Sequence, residues 1–152
     1  MTESYYSDLL GKEDDSGIIQ GWDMDFVDAD RLIVYSKEID QTIVDDLDWL
    51  VENSYEMTTQ GEHELFKYIK ELFEDGCIRG SSTDIDMQIA LEECESYDDL
   101  RKYEKLAAVR VGKYQQDYVK GTFSFEYYFD WDEEHPICFY IEDYKVTCAG
   151  GE

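Results

Sequence analysis

Basic residues are scarce in this sequence of 152 residues, in which 13 Lys and Arg stand against 38 Asp and Glu, for a formal net charge of −25. Direct binding to nucleic acids needs Lys and Arg to displace counterions from phosphates, so this composition excludes it. The same charge is repelled by anionic lipid, and no apolar run approaches the length that spans a bilayer. We therefore expect neither a nucleic acid nor a membrane as a partner.

Histidine and closely spaced cysteine, which build many metal and redox sites, are also rare. The two histidines are His63 and His135. His63 begins a zinc-protease pattern, but Lys67 stands where the second histidine is required. His135 is expected to be a turn residue held by a neighbouring carboxylate. The four cysteines form no C-x-x-C pair, which argues against a zinc or dithiol site. We predict a protein that is not an enzyme, with no catalytic residue, metal or cofactor.

The chain has neither the composition of a disordered protein nor the N-terminal pattern of a secreted one. Hydrophobic residues make up 43% and aromatic residues 15%, whereas disorder combines high charge with low hydrophobicity. The first residues show no basic region followed by an apolar run, so no secretory signal is expected. We therefore predict one cytoplasmic domain over residues 1–152, with buried reduced cysteines and a loose segment at residues 1–16.

The apolar pattern predicts an N-terminal hairpin followed by two helices. Residues 17–26 are strand-like, with apolar and acidic side chains alternating over 22–26, and a turn leads to a second strand at residues 32–35. An apolar stripe predicts a helix over residues 36–53. The sequence Thr59-Gln60-Gly61-Glu62 has the form of a capping box, which predicts a second helix ending near Gly76. These two helices are expected to pack as an antiparallel hairpin.

The second half of the chain reads as two short helices and then sheet. The short helices are predicted from residue 82 or 83 to 93 and from 96 to about 105. Strands are predicted at residues 107–114, 122–131, 137–141 and 145–148, and their short links favour antiparallel pairing. The predicted fold class is α+β, an antiparallel sheet with the helical hairpin packed on one face.

Two groups of acidic residues are candidates for binding a basic protein. Trp49 lies off the apolar stripe with carboxylates three and four residues away, as in an interface anchor; the alternative is that Trp49 packs against the hairpin or residues 77–105. The first group comprises Asp45, Asp46, Asp48, Trp49 and Glu52. The second comprises Asp23, Asp25, Asp28 and Asp30, which lack the register of a calcium loop and are expected to form a solvated anionic face.

The segment FSFEYYFDWDEEH, residues 123–135, carries a family resemblance. It resembles small bacterial proteins classed with the immunity proteins of polymorphic toxin systems, which have a two-helix middle and a late strand ending in Trp, acids and His. In that family Gly usually follows the histidine, where this chain has Pro136. The resemblance implies a non-enzymatic inhibitor that binds a cognate toxin, commonly a nuclease.

Charge and resemblance together give a leading hypothesis and two alternatives. A strong negative field weakens a fold by self-repulsion, and its most direct use is attraction of a basic partner. The leading hypothesis is an immunity-type inhibitor that occludes the positive cleft of a basic toxin. A phage- or plasmid-encoded DNA mimic that blocks a restriction or CRISPR complex is the first alternative, and an enzyme with a carboxylate metal site is the second. Regularly spaced carboxylates along an elongated surface favour mimicry, whereas a single acidic patch favours immunity.

Overall fold

The computed structural model describes residues 2–10, 18–22, 29–74, 92–114 and 116–151. Within them, the chain forms helices α1 and α2, a 3₁₀ helix and six strands, which confirms the α+β class. The elements are α1 Glu3–Leu10, β1 Ile19–Trp22, β2 Arg31–Val34, α2 Gln41–Glu74, the 3₁₀ helix Tyr97–Tyr103, β3 Glu104–Val111, β4 Phe123–Phe129, β5 Asp132–Glu142 and β6 Lys145–Gly151.

The six strands form one sheet in sequence order, β1-β2-β3-β4-β5-β6. Every neighbouring pair is antiparallel except β2 and β3, which run parallel with Leu32 opposite Val109. The expected N-terminal hairpin is present, but the expectation of a wholly antiparallel sheet is wrong at this one junction. The physical reason is the long connection through α2. It carries the chain back to the end of the sheet where β2 begins, so β3 can run in the same direction as β2.

Aromatic side chains fill the space between the sheet and α2. Phe123, Phe125, Tyr127 and Phe129 alternate along β4 and are all buried, as the period-two pattern of this strand predicts. Phe125 stacks on Phe139 of β5, with the ring centroids 4.7 Å apart. Alternate residues of β3, β4 and β5 thus form one apolar face, and their neighbours form the opposite face.

Helix α2 is a single helix of 34 residues, which overturns the predicted helical hairpin. The apolar stripe continues through the predicted link, because Leu50, Met57, Gly61 and Leu65 are all buried. Gly61 does not begin a helix; a Cβ atom at this position would overlap the ring of Phe139. The glycine therefore lets the middle of α2 approach the sheet closely, which offsets its weak helix propensity.

Two short helices, α1 and the 3₁₀ helix, pack against α2. In α1, Tyr6 and Leu10 are buried, so the expectation that residues 1–16 are loose is wrong for the helical part. The 3₁₀ helix occupies the place of the second predicted short helix. Its Arg101 donates two hydrogen bonds, of 2.8 and 2.6 Å, to the buried carboxylate of Glu62 in α2. The first predicted short helix, residues 82–93, lies almost wholly outside the described residues.

Candidate partner-binding surface

Asp46 is a buried carboxylate that joins α2 to two connections of the sheet. Its side chain is 0% exposed. It accepts hydrogen bonds from the phenol of Tyr118, the phenol of Tyr144 at 2.6 Å and the backbone N–H of Gly121 at 2.9 Å. The prediction that Asp46 contacts a partner is therefore wrong, because its oxygens face the interior. Such a multiply hydrogen-bonded buried carboxylate is a structural group.

The backbone around Asp46 is shaped to bring its donors together. Gly121 has φ of 78° and Tyr144 has φ of 63°, both in the left-handed region that tight turns use. A Cβ atom on Gly121 would lie 2.9 Å from the ring of Tyr144, so glycine is required there. Burial, and then the hydrogen bond to Asp46, raise the pKa of Tyr144 to about 12 and that of Tyr118 further above its ordinary value.

Trp49 packs against the C-terminal strands. Its ring stacks on Phe123 with centroids 5.3 Å apart and planes 16° apart, and it also meets Tyr144 at 5.0 Å. These contacts favour the packing alternative for this residue, which is half-buried against the core, and its role as an interface anchor stays a prediction. Packing was the alternative, but the contacts lie in β4 and the β5–β6 turn rather than in the hairpin. Trp49 and Asp46 together hold the first half of α2 in place.

Asp48 lies beside α1. The phenol of Tyr6 donates a hydrogen bond of 2.7 Å to its carboxylate. This bond lowers the pKa of Asp48, and burial followed by the same bond raises the pKa of Tyr6. Asp48 is half-buried, so it lies at the margin of the exposed surface and links the two helices.

Three exposed acids of α2 and an exposed tyrosine form a surface that we call the acidic face: Asp45, Glu52, Tyr55 and Glu56. The three acids are spaced by seven and four residues, which places them on one side of the helix over about 16 Å. Tyr55 flanks them and is 86% exposed, the most exposed of the large apolar side chains in the described residues. The carboxylates and the phenol can therefore contact one partner together.

Tyr55 and Glu56 were missed as candidates because they fall in the predicted link between two helices. Continuing the 3.6-residue period of α2 past residue 53 places Glu56 four residues from Glu52, on the same side. The apolar spacing from Leu50 to Met57 was the available signal. It was outweighed by the capping-box pattern that begins at Thr59, whose hydroxyl instead donates to the carbonyl of Tyr55 at 2.9 Å.

Asp30 is the one member of the second predicted group among the described residues. Asp30 forms an ion pair of 3.0 Å with Lys105 and lies just before β2. At the other end of β2, Val34 pairs with Val111 of β3, and Val111 pairs with Phe123 of β4, on which Trp49 stacks. Asp30 and Asp45, the first acid of the acidic face, therefore lie toward opposite ends of the sheet. The other members of this group, Asp23, Asp25 and Asp28, lie outside the described residues.

Other candidate features have structural explanations. In the described parts of the chain, no three His, Cys, Asp or Glu side chains come together as they do around a metal ion. His135 lies in β5 rather than in the predicted turn, but its ring is 2.9 Å from the neighbouring carboxylate of Asp132, as expected. Cys94 and Cys138 are buried as predicted, whereas Cys148 is exposed. None of the helices among the described residues has the length and apolar character to cross a bilayer.

Comparison of the chain with protein families, with curated proteins and with solved structures found no match in any of the three.

Proposed function

We propose that the protein is a non-enzymatic, immunity-type inhibitor that neutralises a basic toxin, specifically a nuclease, by filling its positive cleft. The acidic face is the contact surface. The observation that carries the proposal is the placement of Asp45, Glu52 and Glu56 on one side of a helix beside the exposed ring of Tyr55. Long-range attraction by the net charge of −25 steers the encounter with a basic protein.

The rigidity of α2 supports this assignment. The hydrogen bonds of Asp46 fix its first half, and the contact of Gly61 with Phe139 fixes its middle. Carboxylates on a fixed helix lose little further freedom on binding, which favours affinity. Tyr55 supplies a rigid ring with a polar tip, the side-chain type found at the centre of many interfaces.

The pattern of charge along α2 favours a compact basic partner over mimicry of a DNA duplex. The acids of the acidic face end at Glu56. The exposed residues that follow are Thr59, Gln60, His63 and Lys67. The one acid in this stretch that reaches the surface, Glu64, is only partly exposed and is paired with Lys67, and fully exposed acids resume at Glu71. A duplex mimic needs its charges at regular intervals along its length, as phosphates are. The DNA-mimic inhibitor of a restriction or CRISPR complex therefore stays the second candidate.

The proposal places the protein in the cytoplasm, where a toxin that cuts nucleic acid acts. Its test is capture of the partner from lysate of the source organism, with bound proteins identified by mass spectrometry after washes at low and high salt. A single small basic protein, partly lost at high salt, supports the immunity function, because salt screens exposed charge. Recovery of the subunits of a defence complex supports the DNA-mimic alternative instead.

A variant of the acidic face makes this capture specific. The variant Asp45→Lys/Glu52→Lys/Glu56→Lys reverses the three acids, all of which are exposed. The control Glu95→Lys/Glu133→Lys/Glu134→Lys reverses three exposed acids elsewhere and has the same net charge. We expect the first variant to lose the partner and the control to keep it. Equal capture by both variants would contradict the assignment of the acidic face.

A further inference from the structure

The face of the sheet opposite α2 contains a pocket above Ser124. Phe123 and Phe125 face α2, so Ser124 between them faces the other side. Its cross-strand neighbours are Arg110 on β3 and Tyr140 on β5, both of which have long side chains. The small serine between them leaves a pocket of about 200 Å³.

Tyrosine rings form the walls of this pocket. Tyr35 and Tyr114 lie on one side with their ring centroids 5.7 Å apart, and Tyr140 lies on the other. Tyr114 is 52% exposed and follows Gly112, whose φ of 87° turns the chain at the end of β3. The lining is therefore mainly apolar, with three tyrosines in it and Ser124 between Arg110 and Tyr140.

Each charged group of the pocket is already paired. Arg110 donates to Glu126 and, at 3.0 Å, to the phenol of Tyr35. Lys113 at the rim lies 3.6 Å from Glu142. A ligand that carries a charge would have to compete with these pairs, whereas an uncharged one would not. The positive and negative charges at the pocket thus balance one another, although the protein as a whole is strongly negative.

We propose that this pocket binds a small, uncharged, planar aromatic ring, stacked against the tyrosines above Ser124. Aromatic rings pair favourably at centroid distances of 4.5–7 Å, and ligand pockets combine apolar walls with a few polar groups. The ring has two possible sources, a free heteroaromatic compound or an aromatic side chain of a protein. This site is separate from the acidic face and does not depend on the proposed function.

Indole is the appropriate probe because it is neutral, so its binding does not depend on attraction by the net charge of the protein. Titration of the ¹⁵N-labelled protein with indole is expected to give saturable amide shifts confined to residues 112–114, 124 and 140. Titration with N-acetyltryptophanamide, which presents the same ring on a peptide backbone, distinguishes the sources. Binding of both probes indicates that a protein side chain fits, whereas binding of indole alone indicates a free compound.

Two variants test the geometry of the pocket. Ser124→Leu fills its floor and is expected to abolish the saturable shifts. Tyr114→Ala removes a wall at an exposed position and is expected to weaken binding roughly fivefold. The control Thr42→Leu adds the same side chain at an exposed position of α2 and is expected to bind indole normally.

The absence of saturable shifts in the unaltered protein would overturn the proposal. Unchanged indole binding by both Ser124→Leu and Tyr114→Ala would also overturn it. Neither result bears on the acidic face, since the probe is uncharged and the two sites lie on different surfaces.

Discussion

The carboxylate of Asp46 accepts a hydrogen bond of 2.6 Å from the phenol of Tyr144, which is 98 residues away in the sequence. Tyr118 and the backbone of Gly121 donate to the same carboxylate. One buried acid thus fastens α2 to the loop before β4 and to the turn after β5. Asp46 and Glu62 are thus acids of α2 that maintain the fold, in contrast to the exposed acids Asp45, Glu52 and Glu56.

Removal of the Asp46 carboxylate is expected to destabilise the protein strongly. Asp46→Ala leaves two phenols and one buried N–H without their acceptor, and we expect a loss of roughly 2–5 kcal/mol in the free energy of unfolding. Urea unfolding measures this loss. The control Asp45→Ala changes an exposed acid one residue away and is expected to alter stability by less than about 0.5 kcal/mol. Similar values for the two variants would show that Asp46 is not a structural centre.

Substitution of Gly61 tests the close contact between α2 and the sheet. Alanine favours a helix over glycine by about 1 kcal/mol, so propensity alone predicts that Gly61→Ala is stabilising. Overlap of the new methyl group with Phe139 opposes this gain, and we expect a net loss of about 1–3 kcal/mol. Thermal or urea unfolding, with Gln60→Ala on the exposed side as the control, measures the difference. A stabilised Gly61→Ala variant would contradict the packing described.

Alkaline pH is expected to destabilise the protein through Tyr144, whose phenol is hydrogen-bonded to Asp46. The folded-state pKa of Tyr144 is raised to about 12, against about 10 in an unfolded chain. Its contribution to stability is therefore complete below pH 10 and is lost as the pH rises through 12. Ultraviolet titration of phenolate, together with urea unfolding across this range, measures the effect. Tyr144→Phe is expected to show a shallower dependence, and an identical dependence would contradict the assignment.

Acid pH is expected to remove the contribution of the pair between Tyr6 and Asp48. The hydrogen bond lowers the folded-state pKa of Asp48. Its contribution is therefore present above the unfolded value of about 3.9 and is lost as the pH falls through the folded value. Unfolding of the wild-type protein and of Asp48→Asn as a function of pH measures this contribution. We expect the difference between them to shrink at acid pH; a constant difference would show that the ionised carboxylate is not involved.

Patterns local in the sequence predicted much of the fold. The period-two alternation of β4 identified its buried face, since every second residue there must meet α2. The capping-box pattern misled because the sequence of residues 59–62 fits both the start of a helix and the middle of a helix that contains a glycine. The apolar spacing from Leu50 to Met57, and contact with the ring of Phe139 78 residues further on, identify the mid-helix glycine.

The candidate site was harder to predict for the same reason. The carboxylates of Asp45 and Asp46 are adjacent and chemically identical, yet one is exposed and the other is buried. Their difference is set by Tyr118 and Tyr144, whose positions depend on how the whole sheet assembles. Trp49 was similarly unpredictable, because its stacking partner Phe123 belongs to a distant strand.

The central claim is that the acidic face binds a basic protein. Its most direct test is the dissociation constant of the captured partner for the wild-type protein, for Asp45→Lys/Glu52→Lys/Glu56→Lys and for the charge-matched control Glu95→Lys/Glu133→Lys/Glu134→Lys. We predict roughly 100-fold weaker binding for the first variant, with a smaller dependence on salt, and near wild-type binding for the control. Equal weakening in both variants would show that net charge alone attracts the partner and would contradict the claim.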